Sequence, residues 1–342
     1  MARPVERNDM FGGVMKAGIV LAVFVLCSGA SAAHAQNDTQ LEAVGEKSID
    51  KTTQTEDIAF RNDGYERMTV PVSLQNSGPY RFLVDTGADR TAISHELATK
   101  LKLPAGKTAA LHTPAGISSI PTATISSLRL TKDSVKISDA ALLDSADMGA
   151  DGILGTDSLQ SQRILFDFDA QTMSIVPSAV REAKPDPNAI VVTARRRNGR
   201  LVITQAKANN HSATVILDTG AQVSIGNQAL RRKLLGRAPV DPAHLMDLVT
   251  VTGERVSGEY LYVDTLEIGG LTLKKLAIVF ADAQTFRSLK LDRKPAMLLG
   301  MNAMRAFKKM SIDFAAKKLR IVLPQESAIE VRMASVGRSD RS

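Results

Sequence analysis

The chain has 342 residues, 44% hydrophobic and 23% charged, with 4% aromatic and no Trp. That composition supports packed cores in about two domains, and it offers little aromatic surface for stacking single-stranded nucleic acid. The formal net charge is +7, spread along the chain apart from Arg195-Arg196-Arg197, and the single Cys27 excludes a disulfide framework and a Cys-type zinc site.

In chain order, Arg3, Arg7 and Lys16 precede an apolar run, Ala17 to Leu26, that is too short to span a bilayer. Ala33-His34-Ala35 follows as a small-x-small cleavage pattern. We read residues 1–35 as a signal peptide, with a mature chain starting at Gln36 that is exported and periplasmic; an uncleaved anchor is the alternative. Residues 36–57 are polar and aperiodic and read as a disordered lead-in. A first unit, 58–177, opens with Met68, Val70 and Val72 alternating with Thr69, Pro71 and Ser73, a half-buried strand whose Pro71 suggests an edge. Ser94 caps a short predicted helix over 94–101. Residues 111–124 read as a hairpin with Pro114, Ala115 and Gly116 at its turn, and 125–146 as two strands. Arg163 to Val176 forms a closing hairpin. Pro185 and Pro187 stiffen a linker, 178–188. A second unit, 189–324, repeats the plan and ends in a hairpin over 311–323, before a mobile tail, 325–342. The arginine triplet reads as a solvated interdomain segment.

The second unit is a copy of the first. Phe82-Leu83-Val84-Asp85-Thr86-Gly87-Ala88-Asp89 is echoed 133 residues later by Val215-Ile216-Leu217-Asp218-Thr219-Gly220-Ala221-Gln222. Downstream, Ile153-Leu154-Gly155 is echoed by Leu298-Leu299-Gly300, and Phe166-Asp167-Phe168 by Ile312-Asp313-Phe314. Several correspondences in one order are an internal duplication.

Paired Asp-Thr-Gly turns, each after an apolar strand and before an apolar-apolar-Gly element, resemble the aspartic proteases. Ala after Asp-Thr-Gly makes the likeness closer to the retroviral type (retropepsins) than to the pepsins. The resemblance covers roughly residues 60–325. It implies an all-β fold of two homologous β-barrel lobes related by a pseudo-twofold axis, with short helices after each apolar-Leu-Gly element. It further implies a secreted endopeptidase in which Asp85 and Asp218 meet across that axis and activate water between them. Thr86 and Thr219 would brace the two turns, while Gly87 and Gly220 would allow the backbone to approach closely. Gly155 and Gly300 would let the strand beneath each turn pass near it. Ala88 and Ala221 have no hydroxyl to donate to the carboxylates, which predicts a mildly acidic pH optimum. Pro114, Ala115 and Gly116 stand at the family's flap. The second-lobe equivalent, Leu248 to Tyr262, has turn residues at Gly253 and Gly258 but no Gly-rich tip, so one flap is expected to be functional and the other vestigial.

Thr156 and Met301 occupy the place after Ile-Leu-Gly where retroviral enzymes carry an Arg paired to the Asp two residues after the Asp-Thr-Gly. Asp89 is kept, but its repeat mate is Gln222, so this brace is expected to be missing in both lobes. The expected partner is an extended polypeptide, lying between lobes that form an intramolecular pseudo-dimer within a monomer. No nucleic acid, and no membrane once the signal is removed, is expected. Specificity pockets would come from scattered apolar side chains such as Ile120 and Val251. His112 and His244 read as loop residues, and Asp151, Asp167 and Asp313 as structural carboxylates. No metal or cofactor is implied. The alternatives are a peptide-binding protein of the same fold without catalysis, and lobes that pair between molecules.

Overall fold

The computed structural model describes residues 19–20, 41–43, 57–59, 61–62, 68–113, 116–130, 134–180 and 189–324. The expected signal peptide and tail, the 181–188 part of the linker, and Pro114 and Ala115 lie outside the described residues, except for 19–20 within the signal. No helix among the described residues is long and apolar enough to cross a membrane.

In the first lobe, hydrophobic alternation makes one-sided strands that close on themselves. Val70, Val72 and Leu74 bury one face of the strand Met68–Leu74. This strand pairs with Ser77–Val84, and the ring runs on through Gly152–Leu154, Ala92–Ser94, Ser134–Leu143 and Thr122–Arg129. Leu128 pairs back to Leu74 and closes a six-stranded barrel. Pro71 is not on an edge strand as expected. It sits on a stretch of one flank between the pairings to Arg61–Asn62 and to Leu128–Arg129, where its missing N–H costs no ladder bond. The predicted helix is His95–Lys100, with Ser94 Oγ accepting from the Leu97 N–H at 3.1 Å.

The second lobe repeats the ring with Arg200–Ala208, His211–Leu217, Ala296–Leu299, Ser224–Gly226, Leu271–Phe280 and Arg255–Ile268, closed by Ala206 against Ile268. The arginine triplet is not a linker segment. Arg195–Arg197 is an exposed strand paired to Arg200–Val202. The lead-in also departs from expectation, because Leu41–Ala43 pairs with Leu271–Leu273 and Asp57–Ala59 with Thr172–Ser174.

A six-stranded sheet joins the lobes. At its centre the closing hairpins meet as Gln162–Asp167 against Lys309–Asp313, flanked by Thr172–Pro177 with Asp57–Ala59 and by Lys318–Val322 with Ile190–Thr193. Directly opposed positions carry opposite charges: Arg163 lies 3.8 Å from Asp313, and Lys309 pairs with Asp167. Ile164, Phe166, Met310, Ile312 and Phe314 are buried there, in an apolar cluster that runs through both lobes. That shared sheet sets one Asp turn against the other.

Candidate active site

Each dyad residue stands where a buried strand ends. Val84 pairs in parallel with Leu154, and the Asp85 N–H donates to Leu154 O at 3.0 Å. Leu217 pairs with Leu299, and the Asp218 N–H donates to Leu299 O at 3.1 Å. The apolar-Leu-Gly strand thus continues the ladder into the turn. The glycine that follows it is required by closeness: a Cβ on Gly155 would lie 2.3 Å from the Arg90 carbonyl carbon, and one on Gly300 2.6 Å from that of Val223.

The two turns are cross-braced by their threonines. Thr86 Oγ1 donates to Leu217 O at 2.9 Å and accepts from the Thr219 N–H at 3.1 Å. Thr219 Oγ1 donates to Val84 O at 2.7 Å and accepts from the Thr86 N–H at 3.1 Å. All four bonds are buried, where such a closed network is rigid. Asp85 Oδ1 accepts from the N–H groups of Gly87 and Ala88 at 2.7 and 3.0 Å; Asp218 Oδ1 accepts from Gly220 and Ala221 at 3.1 and 3.2 Å. Ala88 and Ala221 contribute only backbone donors. Each carboxyl lies against the glycine of the opposite lobe. A Cβ on Gly87 would fall 2.5 Å from Asp218 Oδ1, and one on Gly220 2.6 Å from Asp85 Oδ1.

Both carboxyls are buried, and each Oδ2 accepts from no N–H or O–H among the described residues. Burial raises Asp85 above the usual carboxylate range, against the Gly87 N–H and the Arg200 charge. Burial, and then the negative charge of Asp85, holds Asp218 well above that range. The pair titrates as a unit that holds a proton which two isolated carboxylates would have released. The folded state therefore binds more protons than the unfolded chain. This stabilisation is full below the unfolded carboxylate pKa and is lost as pH rises through the folded one. The melting temperature is expected to fall as pH rises from the mildly acidic range, and Asp218→Asn is expected to flatten that slope. An unchanged slope in the variant would count against a protonated dyad.

The expected absence of an Arg–Asp brace is corrected in the first lobe. Arg200, wholly buried, donates from Nε to Gly87 O, and its Nη2 lies 3.8 Å from Asp89 Oδ1. The cation comes from the start of the other lobe rather than from the residue after Ile-Leu-Gly. The sequence signal was available: Arg67 and Arg200 open the two 21-residue spans that end at Gly87 and Gly220. Arg67 lies outside the described residues, and in the sequence repeat Gln222 is the mate of Asp89. Gly199, in the turn before Arg200, packs on Thr156 of the first lobe, where a Cβ would lie 2.4 Å from its Oγ1.

Sequence reasoning also missed a second support. Thr91 and Ser224 each stand six residues after the dyad Asp. The Thr91 N–H and hydroxyl donate to Asp157 Oδ1 at 2.9 and 2.7 Å, and those of Ser224 to Asn302 Oδ1, both at 2.9 Å. These pairs tie the chain leaving each turn to the short helix after Gly155 or Gly300.

The hairpin findings reverse part of the expectation. The first-lobe hairpin is Ala109–Thr113 with Gly116–Ile120. The second lobe carries a complete hairpin rather than a vestige, Leu245–Val249 with the start of Arg255–Ile268. Its tip is ordered by Thr250: the Thr250 N–H donates to Glu254 O at 2.8 Å, and Thr250 O accepts from the Gly253 N–H at 3.0 Å. Gly253 has φ +76°, and a Cβ there would lie 2.8 Å from Asp147 Oδ1 of the first lobe. Gly258 is not a turn residue but lies within the strand. Val251, 1% exposed, packs into a first-lobe cluster that contains Leu83, Ala88, Leu111, Met148 and Ile153. Replacing Val251 with Ser removes most of that anchor, worth roughly 1.5–3 kcal/mol. Amide exchange over 248–256 is expected to speed up by about tenfold or more, with the second barrel unchanged. Protection equal to wild type would mean that the tip is not held by this contact.

Of the remaining readings, Asp151 accepts from the Arg81 N–H at 2.7 Å, Asp167 and Asp313 serve the interlobe sheet, and His244 is exposed in a short turn of helix. His112 lies on a strand, not in a loop. No group of three or more metal-ligating side chains gathers among the described residues.

Two closed β-barrels that share a sheet and oppose Asp-Thr-Gly turns through threonine bonds define the two-lobed aspartic protease architecture. In agreement, residues 70–161 match the gag-polyprotein aspartyl protease family, and residues 204–303 match a second aspartyl protease family. The chain is thus a tandem of two retropepsin-like aspartic protease lobes. No curated protein sequence matches it.

Proposed function

We propose that this protein is an exported, monomeric aspartic endopeptidase in which Asp85 and Asp218 cleave peptide bonds between them. The observation that carries the reading is the cross-lobe dyad itself: two buried carboxyls on braced turns, with their Oδ2 atoms bonded to no donor among the described residues. A catalytically idle cleft would have no use for two desolvated carboxyls, whose burial costs stability.

The two raised carboxyls share one proton, so that one of them serves as base and the other as acid. The ionised carboxyl takes a proton from the attacking water as the water oxygen bonds to the scissile carbonyl carbon, and the protonated one gives its proton to the carbonyl oxygen. The first carboxyl then returns its proton to the leaving amine while the second recovers one from the hydroxyl that reforms the carbonyl. The substrate is an extended polypeptide covered by the two hairpins. The basic, apolar N-terminal run supports export, and the intrachain interlobe sheet supports a monomer.

The test is cleavage of denatured casein between about pH 3 and about pH 8, comparing wild type with Asp85→Asn and Asp218→Asn. Either substitution is expected to lower the rate by roughly 10²–10⁴-fold, with a wild-type optimum in the mildly acidic range. Sedimentation of the active species should give a monomer. Binding of peptide without cleavage, unaffected by either substitution, would replace the enzyme with a peptide-binding protein.

A further inference from the structure

Leading into the base of the second-lobe hairpin, one surface of the second lobe is built in a way that its barrel does not need. The helix Gln228–Leu235 is followed by an unbroken exposed arc over residues 235–245, leading to the strand Leu245–Val249. Such an arc would ordinarily be polar, yet it shows large aliphatic side chains to solvent: Leu235 at 39%, Val240 at 46% and Leu245 at 52% exposure. Arg232, Lys233 and Arg237 are exposed beside them. Asp241 is the one acid of the arc, and its Oδ1 accepts from the Ala243 N–H at 2.9 Å.

The arc is held from below by a buried ion pair. Arg231 bonds the Glu259 carboxylate, with Nη2 to Oε1 at 3.1 Å, and both of its Nη atoms donate to Ala238 O at 3.1 Å. Glu259 in turn lies directly opposite Leu245 in the ladder. Pro239 and Pro242 stiffen the same stretch. A buried Arg–Glu pair spent on fixing the backbone of an exposed loop indicates that the shape of the loop matters.

We propose that the 235–245 arc is a docking surface for an anionic lipid bilayer, with Leu235, Val240 and Leu245 entering the interface and Arg232, Lys233 and Arg237 meeting the headgroups. Apolar side chains rimmed by basic ones are what a monotopic contact requires. Charge complementarity argues against a second copy of the chain, since the same basic rim would face itself. The contact is peripheral, compatible with there being no helix long and apolar enough to cross a membrane among the described residues, but it departs from the expectation of no membrane contact after signal removal.

The chain has no Trp, so Val240→Trp gives a fluorophore without background. Its emission is expected to shift to shorter wavelength with phosphatidylglycerol-containing vesicles, and not with phosphatidylcholine alone. Cosedimentation of the otherwise native chain with anionic vesicles should fall about tenfold or more when Leu235, Val240 and Leu245 are all changed to Ser. A similar fall is expected when Arg232, Lys233 and Arg237 are all changed to Gln, and with added salt for wild type. The variants and wild type share the same N-terminus, so binding through any retained part of the apolar N-terminal run would be equal in all of them. Every altered residue is exposed, and an unchanged melting temperature shows that the lobe is intact. No emission shift, vesicle binding equal in wild type and both triple variants, or equal binding to neutral vesicles would overturn the proposal.

Discussion

Gly87→Ala is expected to cost at least about a hundredfold in kcat/KM on an unfolded protein substrate. The new methyl would lie 2.5 Å from Asp218 Oδ1, inside any allowed contact, so the carboxyl of the opposite lobe has to move. Backbone cannot yield instead, because Thr86 and Thr219 pin both turns with four buried bonds. Overpacking of this kind costs about 1–3 kcal/mol of stability, so the variant is expected to fold and to fail mainly in catalysis. Gly220→Ala is expected to reproduce the defect through Asp85, since its methyl would lie 2.6 Å from Asp85 Oδ1. A folded Gly87→Ala enzyme with wild-type kcat/KM would show that the carboxyls do not meet across the lobes. Because the clash crosses the interface, it tests the pairing of the lobes and not just the identity of the acids.

The second large effect is expected at Arg200. Its guanidinium is wholly buried, bonded to the carbonyl of Gly87 and 3.8 Å from Asp89. Removing one member of a buried pair is worth about 3–5 kcal/mol, and Arg200→Met is expected near the lower end because Asp89 keeps some solvent. The electrostatic consequence separates this role from packing. The Arg200 charge lowers the pKa of both Asp85 and Asp218. Without it the dyad should hold its proton more tightly, and the acidic limb of the pH–rate profile should move to higher pH. Asp89→Asn removes a negative charge from beside Arg200, so its limb should move to lower pH. Opposite displacements are the expected result; displacements in one direction, or none, would leave Arg200 with a packing role alone.

How far the sequence could be read depended on the range over which each feature is encoded. The barrels were legible because hydrophobic alternation in Met68–Leu74 and unbroken apolar runs such as Val215-Ile216-Leu217 are local signals of burial on one face or two. The dyad was legible because the chain states it twice, each time with the same strand before and the same Leu-Gly element after. The Ser94 cap, too, needs only four residues of context.

What could not be read was assembled by distance. Arg200 is one arginine among many until the turn before it lands on Thr156 and brings its guanidinium under Gly87, 113 residues away. The second-lobe hairpin looked vestigial because a Gly-rich tip was sought, whereas the tip is ordered by Thr250 and anchored by Val251 in the first lobe. Pro71 implied an edge because a sequence shows that the donor is missing, not that both neighbouring strands leave a gap at that place. By itself the sequence determined two β-lobes, their duplication and the two acids, since these rest on short-range periodicity and repeated turns. The tertiary structure alone decided which groups face across the interface, and with them the burial that raises both carboxyls, the cation bonded to Gly87 and the anchoring of the second-lobe hairpin in the first lobe. Those depend on side chains far apart in the chain being brought out of water together, where burial and charge act across a few ångströms of space rather than along the chain.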